Sequence, residues 1–463
     1  MAAPQIARYI GLALIALGVA AIIPMIFALG VNDARAGNYA FGCAASIFSG
    51  AGFLLLSDRT SPNLGLRSAI FMALLWWTLA PAYAAIPFWL DGWTIIDGYF
   101  EAVSALTTTG ATLEKAPLID KPTDLLWRAI LQWIGGAMSL AIAASIFIRP
   151  QFVGADAAQP TFSRGEHDSY LHGLASALRA LTPIFAAITI FGFLALALSG
   201  APTFDAAVLA LSSVSSGGLV PHEAGLEAYP VWSRLCLLPI FCLAGANFVV
   251  IDRFVRGRRP PSDSETIAYV SFISILAIAL WLLAGGFSSG GLFEPLFNAA
   301  SLFATSGVVV GQKPGLILAL VTVIIGGSAV STAGGLKVMR WLVIVRRTQI
   351  ELRKLVSPSA VFGPRSARNE LGVWMHFLVF TMALAALAAA LTAGGHSLEA
   401  AVAGAVGAVA NAGPVISLTP EGHAGYFVFK DGWIRLMLAF AMIIGRLEGV
   451  AALMLIRGAF WRG

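Results

Sequence analysis

The residues of this chain with chemistry to offer are small ones, and they recur in four places. Glu101 is followed by AVSALTT and Thr109-Gly110, Asp205 by AAVLALSSVS and Ser216-Gly217, Glu294 by PLFNAASLFAT and Ser306-Gly307, and Glu399 by AAVAGAVGAVAN and Ala412-Gly413. Each segment is an acidic residue, a run of about ten mostly apolar residues, and a small, mainly polar ending at glycine. Such a run is too short to cross ~30 Å of hydrocarbon and fits a re-entrant half-length helix. If these helices enter from outside, their C-terminal dipole ends face the membrane centre and favour a cation. Carbonyls of the following loop can replace a cation's hydration shell, and glycine supplies the backbone angles that turn them inward. The acidic residue at each helix start complements the positive dipole end and needs no ion-binding role. A glycine C-cap on a short buried helix would explain any one loop. Four glycines spaced 107, 90 and 106 residues apart, each between two full spans, make a repeat instead.

A second cluster interrupts a later apolar stretch: Gly326-Gly327-Ser328-Ala329-Val330-Ser331-Thr332-Ala333-Gly334-Gly335. Four glycines cost roughly 4 kcal/mol of helix propensity relative to alanine, so a break is expected, and an unwound segment beside the loops suits a gate. Close helix packing through small residues is the other reading. Lys337 follows and is expected to snorkel to the inner interface. Near the C-terminus, Gly445-Arg446-Leu447-Glu448 sets two charges amid apolar residues. Charges at that depth face the bundle interior. Residues two apart on a helix point to different faces, so carbonyls freed by the glycine-rich break are better partners for Arg446 than Glu448 is. A structural ion pair with another span is the alternative.

Other chemistries are excluded. There is no Walker-type phosphate loop, no GxGxxG after a strand, and no nucleophilic triad or paired carboxylates, so neither an enzyme nor a bound cofactor is expected. Cys43, Cys236 and Cys242 form no CxxC, and the six histidines (His167, His172, His222, His376, His396, His423) are scattered and read as surface or interfacial. A pI of 9.2 would suit nucleic acid, but the net charge is only +5 and the basic residues lie mostly between apolar segments.

The elements that must hold these loops are membrane spans. Only 11% of the 463 residues are charged, 58% are hydrophobic, and the mean hydropathy is +0.83. Apolar stretches near 9–29, 39–56, 69–90, 127–148, 176–199, 232–252, 267–287, 315–339, 371–393 and 434–456 give ten expected crossings. With the N-terminus inside, eighteen Lys and Arg fall in inner loops against eight outside, which puts both termini in the cytoplasm. The expectation is an all-α membrane protein of ten transmembrane helices and four re-entrant pore helices, fourfold pseudosymmetric about a central cation pore. Its divisions are two N-terminal helices (1–60) and pore repeats at 61–150, 151–259, 260–364 and 365–463.

Seven stretches carry a resemblance: TTTGAT at 107–112, LLWRAILQWIGG at 125–136, LSSVSSGGLVPHE at 211–223, FATSG at 303–307, GGSAVSTAGGLKVMR at 326–340, NAGP at 411–414 and GRLE at 445–448. Together they resemble the TrkH branch of the Trk/Ktr/HKT superfamily of potassium transporters over nearly the whole chain. The resemblance implies K⁺ uptake across a bacterial inner membrane through one selectivity filter built by the four loops. It makes Gly110, Gly217, Gly307 and Gly413 the filter glycines, with Thr108, Thr109, Ser215, Ser216, Thr305, Ser306, Asn411 and Ala412 supplying carbonyls to K⁺. Loop two offers both Gly217 and Gly218; Gly217 follows from setting Ser215-Ser216 against Thr108-Thr109. The gate would comprise Gly326, Gly327, Ser328, Ser331, Thr332, Gly334, Gly335, Lys337 and Arg446. The resemblance also implies a homodimer and a cytoplasmic nucleotide-binding ring of the TrkA type as partner, beside membrane lipid and no nucleic acid. A secondary transporter of a small organic solute is the rival reading, with half-helix N-termini holding a carboxylate.

Overall fold

The computed structural model describes residues 3–57, 65–114, 120–147, 170–258, 263–286, 291–356 and 371–448, and every regular element among them is helical. Arg59, Lys115, Arg149, Arg164, His167, Arg259, Arg365, Arg368, Arg457, Arg462 and the end of the tenth expected span lie outside the described residues. Seven described helices, of 20 to 27 residues, are long and apolar enough to cross a membrane.

The chain opens with α1 (Ala3–Gly30) and α2 (Ala36–Leu55), an antiparallel pair. A Cβ built on Gly50 would sit 2.6 Å from the carbonyl oxygen of Gly11. The missing side chains let the two backbones touch, which is how helices gain contact in lipid, where burial of apolar surface offers no drive. The turn after α1 is tied into the bundle: Arg35 Nε donates to Asp91 at 3.1 Å and the Thr123 hydroxyl to Asp33 at 2.7 Å.

An order of helix, half-length helix, loop and helix then recurs four times. The first unit is α3 (Leu66–Ala84) with its continuation α4 (Ile86–Leu90), α5 (Ile95–Leu106) and α6 (Pro122–Ile142). The second is α7 (Tyr170–Leu198), α8 (Thr203–Val214), and the pair α9 (Val231–Ala244) and α10 (Phe248–Val255). The third is α11 (Ser264–Leu283), α12 (Phe293–Phe303), and α13 (Leu316–Ile325) continuing to α14 (Val338–Val356). The fourth is α15 (Leu371–Ala393), α16 (Leu398–Val409) and α17 (Gly432–Arg446). Thr94 starts α5 by accepting from Asp97 N at 3.1 Å, and Ser397 starts α16 by accepting from Ala400 N at 3.3 Å. The half-length helices are the buried heart of the bundle, while Phe48, Leu55 and Leu198 on the longer helices are among its most exposed apolar side chains. That is the inside-out distribution expected where the solvent is hydrocarbon.

One span and one acidic residue differ from the sequence expectation. The stretch 232–252 is not one helix: α9 and α10 meet at a 101° bend across Gly245, Ala246 and Asn247. Asn247 restarts the chain as an N-cap, accepting from Val249 N at 3.0 Å. Glu101 does not lie at a helix start either; it sits in the second turn of α5, where Asp97 holds the first-turn position. It forms a buried ion pair with Arg128 Nε at 2.9 Å.

Candidate cation site and its gate

The loops after α5, α8, α12 and α16 share one backbone device. Thr108, Ser216, Thr305 and Asn411, each two residues past its helix, adopt left-handed φ of 53°, 60°, 55° and 52°. The next residue in each loop (Thr109, Gly217, Ser306, Ala412) donates its N–H back to the residue five before it, at 2.8, 2.8, 3.0 and 2.8 Å. This is a helix C-cap in which the chain reverses while satisfying the last carbonyls. The following residues are Gly110, Gly218, Gly307 and Gly413, of which the first three have φ of 71°, 65° and 70°.

The loops close on each other in chain order. A Cβ on Gly110 would overlap the carbonyl oxygen of Gly217, and one on Gly218 that of Ser306. One on Gly307 would press on Val415 N at 3.1 Å, and one on Gly413 on Thr109 O at 2.7 Å. Loop four departs from the others: Gly413 N donates to Thr109 O at 2.6 Å and begins the 3₁₀ turn Gly413–Leu418. Among the described residues, no hydrogen bond ends on the carbonyl oxygens of Thr108, Gly110, Ser216, Gly218, Thr305, Ser306, Gly307 or Asn411. Buried carbonyls normally have a donor, and carbonyls without one at the negative ends of four helices form a cation-binding arrangement.

The small-residue segment runs non-helically from Gly326 to Lys337, between α13 and α14. Gly326 and Gly335, with φ of 72° and 73°, face each other so closely that a Cβ on Gly335 would lie 2.9 Å from the Cα of Gly326. The loop thus pinches at its neck and extends its tip beneath the four loops. Gly334 N donates to Thr305 Oγ1 at 2.7 Å, and Thr332 Oγ1 lies 2.8 Å from Ser216 Oγ. Arg446, the last residue of α17, is buried and bridges the two systems. Its Nε donates to Thr107 O at 2.6 Å, its Nη1 to Thr332 O at 2.8 Å, and its Nη2 to the Thr108 hydroxyl.

The TrkH family model, described as a cation transport protein, matches residues 86–261. The chain is 29% identical to the potassium uptake protein TrkI of Halomonas elongata, over 91% of this chain and 90% of that one. It is 28% identical to TrkH of Escherichia coli, over 99% of both. The crystal structure of the potassium transporter TrkH from Vibrio parahaemolyticus superimposes with a TM-score of 0.88 at 26% identity, covering 100% of each chain. Over its whole length the chain is similar to the TrkH proteins.

The geometry corrects three sequence assignments. The residue equivalent to Gly110 is Gly218, not Gly217, because the left-handed position falls on Ser216 and the five-residue bond on Gly217 N. Ser215 accordingly belongs to the helix cap with Thr107, Ala304 and Ala410, and Gly217 aligns with Thr109. Lys337 does not snorkel; it is buried with φ of 75° and turns back to donate to Ser331 O at 3.4 Å and to Ala333 O. His376 is buried in α15 rather than interfacial. Gly326, Gly327, Ser328, Ser331, Thr332, Gly334, Gly335, Lys337 and Arg446 are brought into one assembly. Glu448 pairs instead with Arg340.

Several residues of this site were not read from sequence. The bend of α9 and α10 is the dock for the gate segment: Ser328 N donates to Gly245 O at 2.8 Å and Phe248 N to Val330 O at 2.8 Å. Glu265, buried at the start of α11, accepts from Ala329 N at 2.6 Å and from the Asn247 amide at 2.9 Å. Gly245-Ala246-Asn247 carried a legible signal, a glycine stop followed by an N-cap asparagine. Glu265 carried none, since a first-turn acid reads as an ordinary dipole partner. Gln132, whose amide donates to Gly217 O at 3.2 Å, looked like one more polar residue on a span.

Proposed function

We propose that this chain takes K⁺ into a bacterial cell across the inner membrane, with the ring of four loops as its selectivity filter. The observation that carries this is the set of buried or half-buried, donor-free carbonyls gathered at the C-terminal ends of four half-length helices. In the corrected register the filter comprises Thr108 to Gly110, Ser216 to Gly218, Thr305 to Gly307 and Asn411 to Gly413. Backbone oxygens at fixed spacing replace the hydration shell of a monovalent cation, and no side chain need take part in coordination. The relatives are named as potassium uptake proteins, in agreement with this reading. The rival organic-solute reading needs helix N-termini at the centre, whereas the loops here follow helix C-termini.

Residues 326–337 with Arg446 form the gate in this reading. The segment lies beneath the loops, and the guanidinium adds a positive charge close to the cation path. Four pore repeats at 61–150, 151–259, 260–364 and 365–463 follow two N-terminal helices, with both termini cytoplasmic. A homodimer is the working assembly. A cytoplasmic nucleotide-binding ring is the natural regulator, and the basic stretch holding Arg253, Arg256 and Arg258 gives it a docking surface. The test is flux in proteoliposomes with K⁺, Rb⁺ or Na⁺ as the driven ion, with and without a pH gradient. Uptake of K⁺ and Rb⁺ well above Na⁺ is expected, and equal rates for all three would overturn the reading.

A further inference from the structure

The four left-handed residues of the loops have a second property in common. Thr108 accepts from Arg446 Nη2, Ser216 meets the hydroxyl of Thr332 at 2.8 Å, and Thr305 accepts from Gly334 N at 2.7 Å. Asn411 donates to Met442 O at 3.0 Å, one turn before Arg446 on α17. So the innermost side chain of every loop is bonded to the gate segment or to the helix that carries its arginine. A plug that merely blocked a pore would need none of these bonds.

Thr332 is the most connected member. Its hydroxyl is within 3.0 Å of both Val214 O, at the end of α8, and Ala244 O, at the bend after α9. One hydroxyl has one hydrogen to give, so Thr332 donates to one of these carbonyls while accepting from Ser216. Ser216, Val214 and Thr332 are all fully buried. Deleting the hydroxyl leaves Ser216 without this partner and Val214 O without a side-chain donor, while Ala244 O keeps the Thr332 N–H, at a place where water cannot readily substitute. Any yielding of loop two passes on, because Gly218 is packed against Ser306 O and Gly110 against Gly217 O.

We propose that Thr332 is a positioning residue for ion selection, bracing loop two through Ser216 so that the ring binds K⁺ more tightly while the segment is latched beneath it. This rests on the reading of the four loops as a selectivity filter. It makes filter and gate a single cooperative unit, and linkage then requires that ions bound in the ring favour the latched gate in turn.

The experiment is thermal unfolding of purified full-length protein in detergent, titrated with KCl or NaCl at constant ionic strength. A ligand that binds only the folded state stabilises it by RT ln(1 + L/Kd), with L its free concentration, so the half-saturating K⁺ is obtained by fitting the rise of the midpoint with concentration. Thr332→Val keeps the shape and removes the hydroxyl, and Thr332→Ser restores it. Thr332→Val is expected to raise half-saturating K⁺ about fivefold, the worth of one buried hydrogen bond, and to narrow the difference between K⁺ and Na⁺. Thr332→Ser should stay within about twofold of the parent. Ser216→Ala removes the same bond from the other side, and it decides the matter if Thr332→Val does not fold. An equal fall of the unfolding midpoint in both salts, with half-saturating K⁺ unchanged in the variant, overturns the proposal and leaves Thr332 a packing residue. A parent stabilised equally by K⁺ and Na⁺ overturns the filter reading beneath it.

Discussion

Gly217 and Gly218 are neighbours in one loop, and the backbone assigns them opposite tolerances. Gly218 has φ of 65°, and a Cβ there would overlap the backbone oxygen of Ser306 and come within 2.7 Å of the Pro414 ring. A left-handed non-glycine residue costs about 1–2 kcal/mol by itself. The overlap adds to that, because its partner is backbone of the adjoining loop, and it resolves only if two loops of the ring separate. A total of roughly 3 kcal/mol is the expectation for Gly218→Ala. At Gly217 the added Cβ would overlap the amide group at the end of the Gln132 side chain, its Oε1 and Cδ nearest. That amide can swing away at the loss of its bond to Gly217 O, worth about 1 kcal/mol. Ala412 already occupies the equivalent place in loop four. In proteoliposomes Gly218→Ala should therefore lose most K⁺ over Na⁺ discrimination, and Gly217→Ala should lose about fivefold or less. Thermal unfolding in KCl should rank them the same way. If Gly217→Ala proves as damaging as Gly218→Ala, the register drawn from the left-handed positions is wrong.

Gly110→Ser should lower the K⁺/Na⁺ permeability ratio, because its Cβ would overlap the Gly217 carbonyl; a folded variant with the parental ratio removes Gly110 from the filter. Arg446→Ala, or deletion of Val330 to Ala333, should raise basal flux in the absence of any regulator. Arg446→Ala should also lose roughly 3 kcal/mol of stability from three abandoned hydrogen bonds, so flux is compared at equal folded protein. Parental or lower basal flux in the folded variants would make Arg446 an anchor only. Glu101→Gln should lower the unfolding midpoint and the K⁺/Na⁺ ratio together, since the carboxylate pairs with Arg128 and also accepts from Leu113 N at 2.6 Å, just past loop one; a stability loss with no change in ratio would confine it to the scaffold. Asp33 lies in the turn between α1 and α2; burial pushes its carboxyl up, but the Thr123 hydroxyl and Arg35 pull it further down, below the usual value of 3.8. A depressed carboxyl stabilises above its unfolded pKa and loses that contribution as pH falls through the folded one, so an Asp33→Asn variant should match the parent's acid sensitivity from pH 8 to 5 and differ below about pH 3.8.

The loops and the helix break were legible because their signals are local. Four glycines after short apolar runs, and four more inside a span, are composition facts that backbone propensity turns into structure. The register of loop two was not legible, since Ser215-Ser216 matches Thr108-Thr109 by residue type while the chain counts from the end of α8. Only φ values and the five-residue bonds show where that helix stops. Lys337 misled for a related reason: a lysine near the end of a span usually reaches for water, yet here carbonyls freed by the unwound segment lie nearer than the interface does. Glu265 was beyond sequence reading because its partner, Ala329 N, is 64 residues away and becomes available only once the helix has broken.

The pattern of symmetry and its breaking separates the two tasks of the molecule. The four loops share left-handed residues and backward bonds because a cation surrounded by carbonyls needs oxygens from every side, and one loop out of step would leave a gap. The spans that follow the loops have no such requirement, and they diverge. α6 is continuous, whereas α9 and α10 are bent by 101° and α13 and α14 are parted by twelve residues of non-helical chain. The breaks in the second and third units satisfy each other: Ser328 N reaches Gly245 O, Phe248 N reaches Val330 O, and Thr332 N reaches Ala244 O at 3.2 Å. Either break alone would strand backbone groups at membrane depth, where each costs several kcal/mol. Together they form a seam that can part and close again without leaving either side bare for long, provided water enters as the gate opens. A movable element therefore sits where two adjacent units are broken together, below a ring that all four keep intact.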